Sequence, residues 1–306
     1  MQRFLIRRLF LMVVTLFAVS MIIFVMARVG GDPRSLLLDD HATKEQWERL
    51  GEELGLDKPL YYQYAIFMSG VLRGDFGESI SLRRPVMEVI SERVLATVQL
   101  GGAAFLLALL VGIPIGVLSA VKRGSIFDQF GRAIALIGQA APSFWLGIMF
   151  IFWFSVGLGL VPPSGRQDWN SFILPTITLA WGGFLAGSLR LMRSAMLDTL
   201  DSEYVKLARS KGLSNRAIIW KHAFRNALIP PLTLAGVSMP AILTGSITTE
   251  LVFAWPGMGQ LAVQALFSSD YPLIQGLTIM FTLGYVFVAL MVDILYAYID
   301  PRIRYS

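Results

Sequence analysis

Six long apolar runs, separated by segments that carry most of the charge, constrain this chain more than any other feature of its sequence. They occupy residues 9–27, 94–121, 133–160, 171–189, 229–249 and 273–297. A helix needs roughly 20 apolar residues to cross the hydrocarbon core of a bilayer. Each run therefore predicts one spanning helix, and the predicted fold class is an all-α membrane protein with six transmembrane helices.

The composition leads to the same class. The chain has 306 residues, of which 55% are hydrophobic and 15% charged, and its mean hydropathy is +0.62. A water-soluble core of this size would not be so apolar. Cysteine is absent, which excludes a disulfide framework, a thiolate nucleophile and a zinc-thiolate site.

The first apolar run admits a second interpretation. Arg3, Arg7 and Arg8 precede it, as basic residues precede the apolar core of a secretory signal. The run is long for a signal core, however, and no clear small-x-small cleavage site with a polar exit is present. We expect an uncleaved first transmembrane helix.

The distribution of lysine and arginine predicts the orientation of the helices. If both termini are cytoplasmic, the inner segments hold 16 basic and 5 acidic residues, and the outer segments hold 10 basic and 15 acidic residues. Basic residues accumulate on the cytoplasmic side of membrane proteins. The formal charge of +5 is therefore a topology signal, and we expect a lipid bilayer and no nucleic acid as a partner.

A seventh span is the main alternative to this segmentation. Residues 251–269 contain no charge and are long enough to cross a membrane. The sequence Trp255-Pro256-Gly257-Met258-Gly259 lies inside them, and proline and glycine disfavour a continuous helix. We expect a hairpin or re-entrant element on the outer face.

The segmentation divides the chain into three predicted parts. Residues 1–27 form a tail and the first helix, residues 28–93 an extracytoplasmic cap, and residues 94–306 a five-helix core with a cytoplasmic loop at 190–228. Within the cap, Thr43 with Gln46 is typical of a helix start, Gly55 is predicted to end that helix, and Pro59 opens a second one. The cap could cover the bundle or bind an extracytoplasmic protein, and both interpretations stay open.

Small residues and prolines recur inside the spans. Gly112 and Gly116, like Gly183 and Gly187, have the four-residue spacing that allows helices to approach closely. Helix packing explains both pairs. The alternative is a hinge or a passage, with Pro114, Pro142 and Pro240 breaking helices where a pathway must be wide or mobile.

The segment from Glu203 to Pro230 is polar and basic although it lies between two apolar runs. Lipid would not accommodate its charges, and Gly212 provides a break at which two short helices can turn. A membrane protein that holds such an element in water presents it to a soluble partner. The candidate residues are Glu203, Tyr204, Ala208, Lys211, Gly212, Leu213, His222, Arg225, Asn226 and Pro230.

This segment resembles the coupling loop of ABC-importer permeases, specifically the dipeptide, oligopeptide, glutathione and nickel subgroup. The subgroup reads Tyr-Val-x-x-Ala-x-x-Lys-Gly-Leu-Ser followed by His-x-x-Arg-Asn-x-x-x-Pro, which this chain matches from Tyr204 to Pro230. Of the more general superfamily motif, only Ala208 and Gly212 match. Further likeness extends from Gly31 to Tyr305 and includes Gly74-Asp75-Phe76-Gly77 in the cap.

The resemblance implies the fold and the partners. It implies the type I importer permease fold in the plasma (inner) membrane of a bacterium or archaeon, with peptides or similar small solutes as substrates. The implied partners are a second homologous permease subunit, two ATP-binding subunits and an extracytoplasmic solute-binding protein. ATP and Mg would be bound by the ATPase subunits, and no cofactor by this chain.

A second stretch that resembles the family runs from Glu250 to Pro272. Proline and glycine predict a tight outer turn, and the aromatic side chains could close the outer mouth. We expect an outer gate or a contact with the binding protein, or else an interfacial aromatic anchor. The candidate residues are Glu250, Phe253, Trp255, Pro256, Gly257, Gly259 and Asp270.

Motifs for catalysis are missing from the sequence. No phosphate-cradling Gly-x-x-x-x-Gly-Lys-Ser/Thr loop occurs, so the chain is expected not to be an enzyme. His41 and His222 fall on opposite sides of the membrane in the predicted topology and cannot share a metal. We therefore expect no catalytic residue and no metal site.

Two other functional classes fit the sequence less well. An ion-gradient-driven secondary transporter is the alternative, but it predicts ionisable groups at broken helices and two similar halves. Asp293 is the only ionisable residue predicted well inside a span, and we expect it to pair with a neighbouring arginine or lysine. A scaffold protein would explain the bundle but not the basic, glycine-broken loop.

Overall fold

The chain folds into helices joined by short turns. A computed structural model describes residues 2–29, 34, 43–53 and 56–299, and within them every regular element is a helix. The only pairing of extended residues in this described part is an isolated bridge between Glu78 and Pro85. The predicted all-α class is thus confirmed.

The helices are numbered in chain order. The first seven are α1 (Gln2–Val29), α2 (Lys44–Glu53), α3 (Leu60–Leu72), α4 (Val86–Val121), α5 (Ile126–Ala140), α6 (Ser143–Phe150) and α7 (Ile173–Leu179). They are followed by α8 (Ala186–Leu200), α9 (Glu203–Ser210), α10 (Asn215–Ala217), α11 (Phe224–Ala227), α12 (Ile229–Ser238), α13 (Ala241–Val252), α14 (Met258–Phe267) and α15 (Tyr271–Ile299). One 3₁₀ segment, Trp169–Phe172, and three π-helical segments, Ile151–Gly157, Ala180–Leu185 and Ile218–Ala223, continue neighbouring helices.

Four continuous helical stretches among the described residues are long and apolar enough to cross a membrane. They are Ile6–Val29, Val86–Val121, Trp169–Leu200 and Tyr271–Ile294. They include the predicted first, second, fourth and sixth spans. A bent pair, Ile126–Ala140 with Ser143–Gly157, raises the number to at most five, so the predicted six stay a prediction.

Two of the predicted spans are interrupted at proline. The third run bends by 113° between α5 and α6, because Ala141 precedes Pro142 and is extended (φ −85°, ψ 132°), as residues before proline are. The fifth run is divided at Met239 and Pro240 into α12 and α13, which have 10 and 12 residues. Pro114, in contrast, lies inside α4 without ending it.

The cap helices begin where the sequence predicts. Gln46 Oε1 accepts a hydrogen bond from Thr43 N (2.8 Å), and Thr43 Oγ1 accepts one from Gln46 N (3.3 Å). This reciprocal pair is a capping box, and it confirms the predicted start of α2. Pro59 precedes α3, also as predicted. The predicted end of α2 at Gly55 lies outside the described residues.

The helices are grouped into two compact units. Unit 1 consists of Met1–Leu95 and Gly257–Ser306, and unit 2 of Ala96–Pro256. The core of unit 1 contains Val86, Ile90, Met258 and Leu273. The core of unit 2 is centred on small and aliphatic residues of α4, α5 and the stretch 179–189, together with Trp255.

In addition to α3, which ends at Gly74, three helices end in the same hydrogen-bonded turn, the Schellman motif. In this motif the second residue beyond the helix cap donates to a carbonyl five residues back, and the intervening residue has positive φ. The donors are Leu213, Trp255 and Asp270, which bond the carbonyls of Ala208 (3.3 Å), Glu250 (2.8 Å) and Ala265 (2.9 Å). The positive-φ residues are Gly212 (76°), Ala254 (45°) and Ser269 (53°).

The alanine at one of these turns is strained. Ala254 is exposed and adopts φ 45°, a region that costs an L-residue roughly 1–2 kcal/mol and glycine little. We predict that Ala254→Gly raises the free energy of unfolding by about 1 kcal/mol, measured as a higher midpoint of thermal unfolding in detergent. Ala103→Gly, in the middle of α4, is the matched control and should lower it. A lower midpoint for Ala254→Gly would contradict the assignment.

Candidate functional site

The segment predicted to meet a soluble partner is a helix–turn–helix. Helix α9 ends in the Schellman turn at Gly212, and Ser214 caps α10 by accepting a hydrogen bond from Ala217 N (3.4 Å). The stretch Lys211-Gly212-Leu213-Ser214 therefore ends one helix, reverses the chain and starts the next. The φ of 76° at position 212 favours glycine for conformational reasons. The requirement is not steric, because nothing lies within 4 Å of the position of an added Cβ.

The two arms are held together on their inner side. Val205, Ala208 and Ile218 are buried together against Leu200, so Ala208 belongs to the packed face. These contacts fix the angle between α9 and the following helix.

A polar contact links the two ends of the candidate segment. Asn226 Nδ2 donates to Tyr204 Oη (2.9 Å) and to the backbone oxygen of His222 (3.2 Å). Three of the predicted residues are thus brought together, 22 positions apart in sequence. Arg225, Lys211 and Pro230 are exposed and lie outside this contact.

The outer side of the segment combines apolar and basic side chains. Leu207 is 57% exposed, Trp220 51%, Tyr204 44% and Leu213 40%. Exposed lysine and arginine residues surround them, namely Lys206, Arg209, Lys211 and Arg216, and Glu203 pairs with Lys206 (2.8 Å). Leu207 and Trp220 were not among the predicted residues. The sequence feature that could have identified them is an apolar side chain that does not lie on the inward-facing side of the helix, where Val205 and Ala208 are.

The structure separates the two glycine pairs. An added Cβ at Gly116 would lie 2.7 Å from the backbone oxygen of Leu189, and one at Gly112 would lie 3.0 Å from that of Leu185. Real Cβ atoms essentially never lie closer than 3.0 Å to another heavy atom, and a distance of 3.0 Å is already tighter than nine in ten of their contacts. Around Gly183, in contrast, nothing lies within 4 Å. The first pair is therefore at a close helix contact, and Gly183 faces open space.

That open space is a cavity of about 370 Å³ in unit 2. Gly183 and Gly187 line it, together with Ser143, which follows Pro142, and Ala241, which follows Pro240. Phe105 and Phe184 form an edge-to-face pair in its wall, with ring centroids 5.5 Å apart. The two proline breaks and the second glycine pair therefore converge on one cavity, whereas Gly112 and Gly116 do not line it.

The same substitution distinguishes the two pairs. Gly116→Ala should lower the free energy of unfolding by roughly 1–3 kcal/mol, because the helices must separate to admit the methyl group. Gly183→Ala should be neutral or stabilising, since alanine is the better helix former by up to about 1 kcal/mol. Thermal unfolding of both variants in detergent measures the difference. Equal losses would show that the two positions are packed alike.

The residues predicted for the outer gate belong to both units and are mostly buried. In unit 2, Trp255 donates from Nε1 to the oxygen of Ala96 (3.0 Å), and its ring meets Phe172 edge to face. Phe253 packs with Leu146 and Phe150. Pro256 is half-buried, and in unit 1 Gly257 and Gly259 are buried. Both aromatic side chains are therefore core residues.

Glu250 is the centre of a buried polar group in unit 2. Its Oε1 accepts hydrogen bonds from Thr97 Oγ1 (2.8 Å) and Ser246 Oγ (3.0 Å), and all three residues are fully buried. The sequence placed Glu250 at the outer end of a span but did not predict these partners. Because its carboxyl is in the last turn of α13, the group ties the end of this helix to α4.

Asp270 joins three elements of unit 1. Its Oδ2 accepts hydrogen bonds from Ser79 Oγ (2.6 Å), Ser81 N (2.9 Å) and Ser81 Oγ (2.7 Å). Its Oδ1 caps α15 through Leu273 N (3.2 Å). Burial alone would raise the pKa of Asp270, but the hydrogen bonds from Ser79 and Ser81 lower it, and the net pKa is below the ordinary value. The ionised carboxylate thus fastens the turn at residues 78–85 to the start of α15.

Asp270→Asn tests this contact through its pH dependence. Hydrogen bonds to a charged group contribute roughly 1.5–3 kcal/mol, so at neutral pH the variant should lose about that much stability. A carboxyl group whose pKa is lower in the folded state stabilises that state at pH values above its unfolded pKa of about 3.9. This stabilisation is lost as the pH falls through the folded pKa. The difference from wild type should therefore shrink below about pH 4. Thermal unfolding across this range, with exposed Asp57→Asn as control, measures it; a pH-independent difference would contradict it.

Two ion pairs complete the site. Arg193 of α8 holds the buried carboxylate of Asp128 with Nε–Oδ1 2.7 Å and Nη2–Oδ2 3.0 Å. In the sequence the two residues are separate loop charges, and their pairing was not predicted. Asp293 pairs with Arg8 (3.0 Å), as expected from its position in a span. Residues 300–306, which carry the rest of the terminal family likeness, lie outside the described residues.

Helices long and apolar enough to span a membrane, an exposed helix–turn–helix and a cavity between helices are typical of a membrane transport protein. The family "Binding-protein-dependent transport system inner membrane component" matches residues 112–305. Its N-terminal counterpart, the "Binding-prot-dependent transport system membrane comp, N-term" family, matches residues 1–101. The chain belongs to this family, the permease subunits of ABC importers.

Curated relatives match along the whole length. The chain is 38% identical over 307 residues to the protein named "Glutathione transport system permease protein GsiC" of Escherichia coli, with 100% of each chain covered. The protein of the same name from Salmonella typhimurium is also 38% identical, over 308 residues. The chain is thus a homologue of glutathione permeases.

Solved structures share the fold over part of the chain. An inward-facing structure of the MetNI methionine ABC transporter aligns with a TM-score of 0.56 at 20% identity, covering 70% of this chain and 97% of that one. An amino acid ABC transporter crystallised with histidines aligns with a TM-score of 0.53 at 15% identity, covering 70% and 94%. At these identities the likeness concerns the fold alone.

Proposed function

We propose that this chain is the membrane subunit of an ATP-driven importer that moves peptides or similar small solutes into the cytoplasm of a bacterium or archaeon. It would work with a second, homologous permease subunit, two ATP-binding subunits and an extracytoplasmic solute-binding protein. ATP and Mg would be bound by the ATP-binding subunits, since this chain lacks a phosphate-binding loop. Six membrane crossings with both termini inside are part of the proposal.

The observation that carries this proposal is the outer side of the helix–turn–helix. A chain that exposes Leu207, Leu213 and Trp220 to water loses free energy unless another surface covers them. Because lysines and arginines surround these side chains, the complementary surface of the partner is a groove with an acidic rim. The buried contacts of Val205 and Ile218 hold the arms at one angle, so the element can be moved as a unit.

The structure offers a path for movement from this segment into the bundle. Helix α8 is followed by α9 after only two residues, Asp201 and Ser202. Arg193 of α8 ties it to Asp128 at the start of α5. When the ATP-binding subunits close, α8 and α5 would be displaced together. Such rigid-body coupling is one of the established ways in which membrane transporters change access.

We place the substrate path at the cavity lined by Gly183 and Gly187. Its wall is weakly polar, with Ser143 and Ser238 as hydroxyl groups and Phe105 as an apolar surface. Such a wall contacts a zwitterionic peptide without binding it tightly. Selection would then rest with the binding protein, for which residues 250–272 and the cap are the proposed contact.

A negative charge among the exposed apolar side chains of the helix–turn–helix tests the proposed partner. Leu207→Glu should reduce co-purification of the ATP-binding subunits at least about tenfold, the effect of roughly 1.4 kcal/mol. It should also abolish substrate uptake in cells. Leu82→Glu is the matched control, because Leu82 is 46% exposed and is predicted to lie on the opposite side of the membrane. Equal recovery of ATP-binding subunits with both variants would contradict the assignment.

Gly212→Trp tests coupling rather than assembly. The site has open space around it, so the folded chain tolerates the ring, at a backbone cost of about 1–2 kcal/mol for positive φ. The ring would obstruct a docked partner. We expect normal membrane insertion with ATP hydrolysis no longer stimulated by substrate-loaded binding protein. Gly212→Asn, which tolerates the same φ, should retain stimulation. Normal uptake by Gly212→Trp would count against the coupling role.

A further inference from the structure

A cavity in unit 1 combines two arginines, a glutamate and an apolar floor. Its volume is about 380 Å³, within the range of small-molecule sites. Arg28, Glu78 and Arg83 contribute the charges, and Phe24 and Phe67 form the floor. Most of its lining belongs to the cap and to residues 250–272, the proposed contact with the binding protein, but that contact assigns the cavity no ligand.

The cavity lies at a membrane boundary. One wall is the last turn and a half of α1, with Phe24 and Arg28, and another is the first turn of α15, with Tyr271 and Gln275. Both helices are apolar enough to span a bilayer. The ends of two spanning helices meet at the level of lipid head groups, so the cavity is at that level as well.

These two helices are also the most exposed of the continuous spans. In their apolar windows only 11% of α1 residues and 17% of α15 residues are buried within the chain. Val25, Met26 and Val29, on the last two turns of α1, are exposed beside Arg28. An amphiphile in the cavity therefore has an apolar surface next to it on which acyl chains can lie.

Several hydrogen bonds hold the turn that carries Glu78 and Arg83. Glu78 bridges to Pro85, Ser79 N donates to the oxygen of Arg84 (2.9 Å), and Asp270 holds Ser79 and Ser81. The charged groups are thus presented from a preorganised loop, as a binding site requires.

Arg83 itself is held in an unfavourable conformation. Its φ is 54°, where glycine or asparagine is usual. Its guanidinium is exposed, and within the described part of the chain it makes no ion pair or hydrogen bond. Strain retained at a residue with an unengaged charged group points to a ligand.

We propose that this cavity binds the head group of phosphatidylethanolamine. The guanidinium of Arg83 binds the phosphate, and the carboxylate of Glu78 binds the ammonium group. The acyl chains lie along the exposed side of α1. The single guanidinium of Arg83 and the carboxylate of Glu78 match the phosphate and the ammonium group of this zwitterion, whereas phosphatidylglycerol has no ammonium group to pair with Glu78.

Native mass spectrometry of the delipidated full-length chain tests this site. Phosphatidylethanolamine and phosphatidylglycerol with identical acyl chains are added at equal concentration. We expect one phosphatidylethanolamine to be retained, with occupancy about tenfold above phosphatidylglycerol, as one charged contact supports. Equal retention of the two lipids would overturn the head-group assignment.

Substitutions then locate the lipid. Arg83→Gln should lower phosphatidylethanolamine occupancy about tenfold, and Glu78→Gln should bring the two lipids to equal occupancy. Arg73→Gln is the matched control, since Arg73 is exposed at the end of α3 but does not line the cavity. Unchanged lipid occupancy in Arg83→Gln would overturn the proposal.

Two further measurements separate the guanidinium of Arg83 from its backbone strain, and a lipid from a soluble ligand. Arg83→Gly removes the guanidinium and relieves the strain, so it should lose the lipid while remaining at least as stable as wild type without lipid. Lipid retention by this variant would contradict the role of Arg83.

Soluble glycerophosphoethanolamine, added in place of the lipid, should not fill the site at equal concentration. If it did, the ligand would be a water-soluble zwitterion and not a lipid.

Discussion

The way helices end governs how this chain is arranged. The last carbonyls of a helix have no hydrogen-bond donor within the helix, so a helix that stops needs a turn that closes them. The turns at Gly212, Ala254 and Ser269 do this with the same pair of bonds. Each also sets the direction of the next residues: Leu213 in the segment proposed to meet the ATP-binding subunits, Trp255 in the core of unit 2, and Asp270 in the contact with Ser79 and Ser81. Local backbone chemistry thus positions three of the regions for which we propose a function.

Residues of the same type have different structural roles at different positions of the chain. Gly116 stands against a neighbouring backbone, whereas Gly183 faces a cavity. Pro114 is accommodated within α4, whereas Pro142 ends a helix with a 113° bend. Packed glycines make the bundle stiff, and open glycines beside proline breaks leave space in it. The proposed transport needs both properties, since a stiff bundle would transmit movement and the cavity would receive substrate.

The sequence predicted the features that depend on local pattern. The capping box of Thr43, the turn at Gly212 and four apolar helices follow from residue types within a few positions, and they are confirmed. The pairing of Asp293 with an arginine was also predicted, although its partner is Arg8, 285 positions away. What could not be predicted was which distant elements meet. Tertiary packing produces the Asp128–Arg193 pair, the group around Glu250 and the difference between the glycine pairs. The spacing of residues in the sequence does not reveal such contacts.

The most direct test of the account uses the absence of cysteine. A single cysteine at Leu207 can be cross-linked in native membranes from cells that make the whole transporter, with a second variant, Leu82→Cys, as reference. We predict a covalent adduct between position 207 and an ATP-binding subunit, and none from position 82. If position 207 gave no adduct while the ATP-binding subunits still co-purified, or if position 82 gave one, the helix–turn–helix would not be the element through which ATP hydrolysis drives transport.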